Sequence, residues 1–196
     1  LVLLPFLNKA FTIDDTLFLL QAQQALKDPL HPTAFDVVWS DIPQRLSAIM
    51  PSGPIMAYLL MPAVARGGSE PITHRVQILL LCLGLAMTAV LARRLGGSRA
   101  QAALAALLLA SSPATLGMTA TAMPDIAAMS FGVLGIERFV AFLQAGPRGL
   151  RILHALTAAV ALAIGALSRS RVGLLLGIAG LLAVGELERL KAPARP

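Results

Sequence analysis

Charge is what this chain has least of. Of its 196 residues, 13% are Asp, Glu, Lys or Arg, against about 25% in an ordinary soluble domain. The polar surface needed to cover a 20.5 kDa globule is missing, which excludes a soluble enzyme. Polar low-complexity stretches are also scarce, which excludes a disordered chain. Cysteine is nearly absent: Cys82 stands alone, so no internal disulfide and no multi-cysteine metal site can form. Its place inside an apolar run predicts a packed thiol. No Walker loop, GxGxxG fingerprint, HExxH motif or nucleophile elbow is present.

What the chain has is hydrophobic length. Apolar residues make up 57% of it, and the mean hydropathy is +0.77. This composition predicts an all-α, multi-pass transmembrane helical bundle. A formal charge of +6 could suggest nucleic acid. The basic residues instead come as short clusters between apolar runs, the pattern of cytoplasmic turns, so no nucleic-acid partner is expected.

The chain divides by polarity. Residues 1–7 (LVLLPFL) are apolar, but a span needs about 20 residues, and no signal-peptide pattern is present. They read as the end of a first transmembrane helix that has been cut. Residues 8–74 hold six of the ten acids, seven of the thirteen prolines and the only Trp and Tyr. A loop of that length is usually functional. Within it, Asp14 to Lys27 has the spacing of a short amphipathic helix, with Thr12 and Asp15 placed to cap it. Residues 53–64, interrupted by Pro62, suit an interfacial or re-entrant helix. Five spans are then expected within residues 75–191, at 76–92, 100–118, 125–143, 152–168 and 172–187. Residues 192–196 read as a cytoplasmic end, with the chain cut before whatever follows.

The positive-inside rule sets the orientation. The turns at 93–99, 148–151 and 189–195 carry eight basic residues and are assigned to the cytoplasm. The long loop, the Asp125 turn and the SRSR turn then face the other side.

Three features meet on that outer face. They are the pair Asp14–Asp15, Asp125 after Pro124, and Arg169 with Arg171 in the SRSR turn. A carboxylate at the membrane edge can act as a general base or bind a cation. Arginines at the same depth can hold a phosphate through paired hydrogen bonds. Together they suit a transferase with a lipid-phosphate donor. Each has a plainer reading: the acids as favourable charges at helix starts, the arginines as anchors reaching for lipid headgroups. His31 and Asp36 lack metal-ligand spacing. Glu137 and Arg138, near the cytoplasmic end of their span, read as structural.

In order and sidedness these features resemble the GT-C membrane glycosyltransferases. The nearest match is family 39, which includes protein O-mannosyltransferases, aminoarabinose transferases and lipopolysaccharide sugar transferases. The resemblance rests on TIDDTLFLLQAQQAL with its acidic pair, the Pro-rich PSGPIMAYLLMPAVARGG, the basic VLARRLGG turn, ASSPATLGMTATAMPD with a second acid, and LSRS where a lysine is usual. It departs from the family in Met50-Pro51-Ser52-Gly53-Pro54, where Asn-Pro-Pro is familiar, and in Arg169 for that lysine.

The resemblance implies a GT-C fold whose long outer loop carries juxtamembrane helices. It implies sugar transfer, with inversion, from a polyprenyl-phosphate donor to a lipid, glycan or protein acceptor. The catalytic residues would be Asp14 and Asp125, with Asp15, Arg169 and Arg171 binding substrate. A divalent cation shared near Asp14 is an option. The place of work would be the periplasmic face of a bacterial inner membrane. Two other readings remain: a non-catalytic multi-pass protein or transporter, and a transferase fragment lacking activity. A transporter should show polar or broken spans near the midplane and two related halves, and neither is evident here.

Overall fold

The computed structural model describes residues 3–50 and 52–169. Arg171, the span expected at 172–187 and the end at 192–196 lie outside the described residues.

The chain includes a short 3-10 turn, Leu4–Asn8, that packs on the long helix Glu70–Arg94. Helix α1 covers Ile13–Lys27. Its start is fixed where the sequence suggests: Thr12 is extended, and its N–H donates to the Asp15 carboxylate at 2.8 Å. Next comes a structure the sequence did not announce. Strands β1 (Asp36–Ser40) and β2 (Ile42–Arg45) form an antiparallel hairpin in what reads as an ordered loop. Its turn places Asp41 at a φ of 63°, a left-handed conformation that Asp tolerates better than most residues. Helix α2 (Leu46–Ile49) and the apolar α3 (Ile55–Val64) follow. At ten residues α3 is too short to span. It is a core element instead, burying Met56, Ala57, Leu60 and Ala63.

Among the described residues, three helices are long and apolar enough to cross a membrane: α4 (Glu70–Arg94), α7 (Asp125–Gln144) and α8 (Arg148–Ser168). A fourth crossing counts only if two shorter pieces are joined. The segment read as a single span at 100–118 is broken into α5 (Arg99–Ser111) and α6 (Pro113–Thr119), bent by 62°. Pro113 causes the break. It lacks an N–H for the ladder and forces the preceding residue out of the helical region, and Ser112 is accordingly extended at φ −61°, ψ 126°.

The core joins loop and bundle. Phe18, Ala22 and Ala25 of α1 pack with Met56, Ala57 and Leu60 of α3, Leu80 and Leu81 of α4, and Ile126 and Ala127 of α7. Small residues let the long helices approach, as in membrane bundles generally. A Cβ on Gly135 would lie 2.5 Å from Leu162 Cγ of α8, and one on Gly84 would lie 2.6 Å from Ser130 Oγ of α7. Ser130 in turn donates to the Leu80 carbonyl of α4 at 2.7 Å.

Cys82 departs from its expected packing. It is exposed on α4, beside a groove formed with Leu3, Leu107 and Leu116. At the far end of the bundle, Glu137 is fully buried between two arginines. It accepts from Arg94 Nε at 2.8 Å and from Arg138 Nε. Gln144 and Arg94 add a reciprocal pair of longer bonds, 3.3 and 3.4 Å.

Candidate active site

The expected acids and Arg169 gather at one end of the bundle. Asp14 sits in the first turn of α1, Asp125 opens α7, and Arg169 directly follows α8. A cleft of about 220 Å³ lies between these elements. Asp14, Leu17 and Phe18 of α1 form one wall, Met123 and Pro124 another, and Arg169 closes the side. Ile49 at the end of α2, Met50 and Ser52 of the loop after it, and Trp39 of β1 complete the lining.

Arg169 and Asp125 form a two-pronged pair. Arg169 Nε donates to Asp125 Oδ1 at 3.0 Å, and Nη2 donates to Oδ2 at 3.1 Å. This planar fork-to-fork geometry is the one guanidinium groups favour with carboxylates and phosphates alike. The pair stays accessible, with side chains 41% and 30% exposed. Asp14 is exposed, and among the described residues no side chain hydrogen-bonds to it.

Asp15 has a different setting from its neighbour. It is fully buried, and both its oxygens accept backbone N–H groups. One bond comes from Thr12 at 2.8 Å and the other from Ala122 at 2.7 Å, across 107 residues. Expected among the substrate-binding residues, Asp15 is occupied by the backbone and does not line the cleft. Arg171 lies outside the described residues.

The cleft also includes residues that sequence reasoning left in the background. Trp39, the only Trp in the chain, reaches the cleft from the hairpin, and its uniqueness in the most polar stretch was the available signal. Gly53 matters for another reason. A Cβ there would collide with the Leu167 carbonyl in the last turn of α8. Glycine therefore lets the loop lie directly against the helix end that carries Arg169. Gly53 thus has a packing rationale.

Among the described residues, no three His, Cys, Asp or Glu side chains converge on a point where a metal ion could sit. His31 is committed locally, with Nδ1 2.9 Å from Asp28 Oδ2. That hydrogen bond, opposed in part by desolvation, holds the Asp28 carboxyl below its ordinary range.

A multi-helix membrane protein with a carboxylate and an arginine facing one cleft at the end of the bundle has the parts of a membrane group-transfer enzyme. The family model for dolichyl-phosphate-mannose-protein mannosyltransferases matches residues 74–191. The chain belongs to this family of GT-C membrane glycosyltransferases. Asp125 and Arg169 fall within the matched residues, whereas Asp14 and Asp15 precede them. No curated protein and no solved structure matches the chain.

Proposed function

We propose that the cleft transfers a sugar from a polyprenyl-phosphate donor to an acceptor hydroxyl, with inversion, and that Asp14 is the general base. One observation carries this reading. Asp14 and Arg169, 155 positions apart in the sequence, line the same small cleft, where Arg169 is already shaped around an acidic partner.

The chemistry follows from the groups. The Asp14 carboxylate accepts the acceptor's proton as the hydroxyl oxygen attacks the anomeric carbon. The bond from that carbon to the phosphate oxygen breaks, and the lipid phosphate leaves as an anion. Arg169 faces the charge developing there, and Arg171 is a second candidate for it. A fixed cation at such a place lowers the barrier most when water is excluded. Asp125 holds the guanidinium in plane until phosphate arrives and remains available to orient the acceptor. Leu17 and Phe18 make the α1 wall of the cleft apolar beside Asp14, and Trp39 offers a flat face for a sugar ring.

The sidedness supports an outer-face reaction. The clustered arginines at 93–99 and 148–151 lie at the end of the bundle opposite the cleft, and short basic turns stay in the cytoplasm. The cleft then opens toward the periplasm of a bacterial inner membrane, where a lipid, glycan or protein could serve as acceptor.

The test is transfer from radiolabelled polyprenyl-phosphate sugars in membranes containing the protein. General-base catalysis is worth roughly 10²–10⁴-fold, so Asp14→Asn should lose that much turnover while accumulating normally. Near wild-type turnover in that variant overturns the assignment of Asp14. No sugar transfer by the wild-type protein from any such donor, in membranes where it accumulates, overturns the donor class.

A further inference from the structure

The loop between α6 and α7, residues 120–124, ends at Asp125 and is held by side chains distant in sequence. Lys9 Nζ donates to the Ala120 carbonyl at 3.0 Å. Asp15 accepts the Ala122 N–H at 2.7 Å. Gln77, fully buried on α4, donates its amide N–H to the Met123 carbonyl at 2.9 Å. These contacts cross 111, 107 and 46 residues respectively. Ala122 and Pro124 are themselves buried.

Of the three, Asp15 is the one connected to the chemistry on both sides. It is peptide-bonded to Asp14 and hydrogen-bonded three residues before Asp125. Its other oxygen caps α1 through Thr12. A buried carboxylate that accepts backbone N–H bonds at both oxygens makes strong, charge-assisted contacts, and losing one leaves a buried N–H unpaired.

We propose that Asp15 is a positioning residue. By bridging the start of α1 to the α6–α7 loop, its carboxylate sets Asp14 in register with the Asp125–Arg169 pair. This rests on the sugar-transfer reading above. The acidic pair then divides its work: Asp14 faces the cleft, and Asp15 fixes where that face is. Lys9 and Gln77 hold the same loop at its two ends, so the bridge closes against a segment that is already constrained.

The experiment compares Asp15→Asn and Asp15→Glu with wild type in lipid nanodiscs, using hydrogen exchange and transfer kinetics. The Asn amide keeps one acceptor oxygen but presents an NH2 group to the second N–H. Exchange should therefore rise in the peptide containing Ala122 while the body of α7 stays protected. The rate constant kcat should fall about ten- to a hundredfold, with the donor KM within about threefold and the pH dependence of kcat unmoved. Asp15→Glu, which keeps both acceptors, should recover part of kcat.

Unchanged exchange at Ala122 overturns the bridge. Raised exchange with unchanged kcat overturns the positioning role. A rise in donor KM with kcat intact overturns it too, because it would make Asp15 a binding residue. If Asp15→Asn does not accumulate, Asp15→Glu decides: a lowered kcat at normal KM supports the role, and wild-type kinetics overturn it. Failure of the underlying reading shows separately, as Asp14→Asn turning over at the wild-type rate while exchange at Ala122 still responds to Asp15.

Discussion

The Arg169 guanidinium grips the Asp125 carboxylate through two parallel hydrogen bonds across 44 residues. Under the proposed function, the donor phosphate competes with Asp125 for the same fork. Asp125→Asn should therefore bind polyprenyl phosphate several-fold more tightly than wild type, even as turnover falls. Arg169→Lys keeps the charge and loses the fork, and should weaken phosphate binding about tenfold, near the value of one hydrogen bond to a charged group. Inhibition by free polyprenyl phosphate checks both. Weaker inhibition of Asp125→Asn would rule out competition for Arg169.

Close helix approach makes Gly135 a sensitive position. An added Cβ would press on the Leu162 side chain and lie 3.1 Å from its backbone nitrogen, so rotating one side chain does not relieve it. Gly135→Ala should cost about 1–3 kcal/mol, the usual range for overpacking. It should also reduce transfer, because α7 and α8 carry Asp125 and Arg169 at their facing ends. Thermal unfolding in detergent, read beside activity, is the measurement.

Glu137 sits at the far end of the bundle and touches none of the cleft residues. Truncating it to Ala strands Arg94 and Arg138 around an empty site, and breaking a buried ion pair typically costs about 3–5 kcal/mol. The expected outcome is a large drop in thermal stability with near-normal turnover per folded molecule. Partial recovery of stability in the double variant Glu137→Ala/Arg94→Ala, which still leaves Arg138 without its partner, would show that the stranded charge is the cause.

The Asp28–His31 turn gives a pH signature. Its hydrogen bond holds the Asp28 carboxyl below the ordinary range, so the contribution is present above that range and lost as pH falls through the lowered value. The Leu30 N–H, which donates to Asp28 Oδ1 at 3.1 Å, should keep its exchange protection through about pH 4. Protection should fall only under stronger acid. Loss beginning above pH 5 would contradict the shift.

Local chemistry explains what was readable in the sequence. The start of α1 follows from Thr12 and Asp15 three residues apart, and the long helices follow from uninterrupted apolar length. Asp125 and Arg169 could be expected near one another because each falls at the end of an apolar run on the same side. The hairpin was harder: Asp36–Arg45 holds a proline, and its turn lacks glycine and is made instead by Asp41 at positive φ. The division of a span at Ser112 was signalled by Pro113, yet hydropathy alone bridges it. Contacts that depend on distant partners left no local trace. Asp15 looks like another acid of the pair until Ala122 is beside it, and Glu137 looks like an isolated charge until Arg94 reaches it.

The contact between Gly53 and the Leu167 carbonyl bears on how such proteins can be recombined. The segment that precedes α4 is not a portable module that could be exchanged between homologous bundles by cutting at residue 69. Any graft bringing a bulkier residue to position 53 would pry the loop away from α8 and open the cleft beside Arg169. Swapped loops should work only when the donor sequence keeps glycine at that one place.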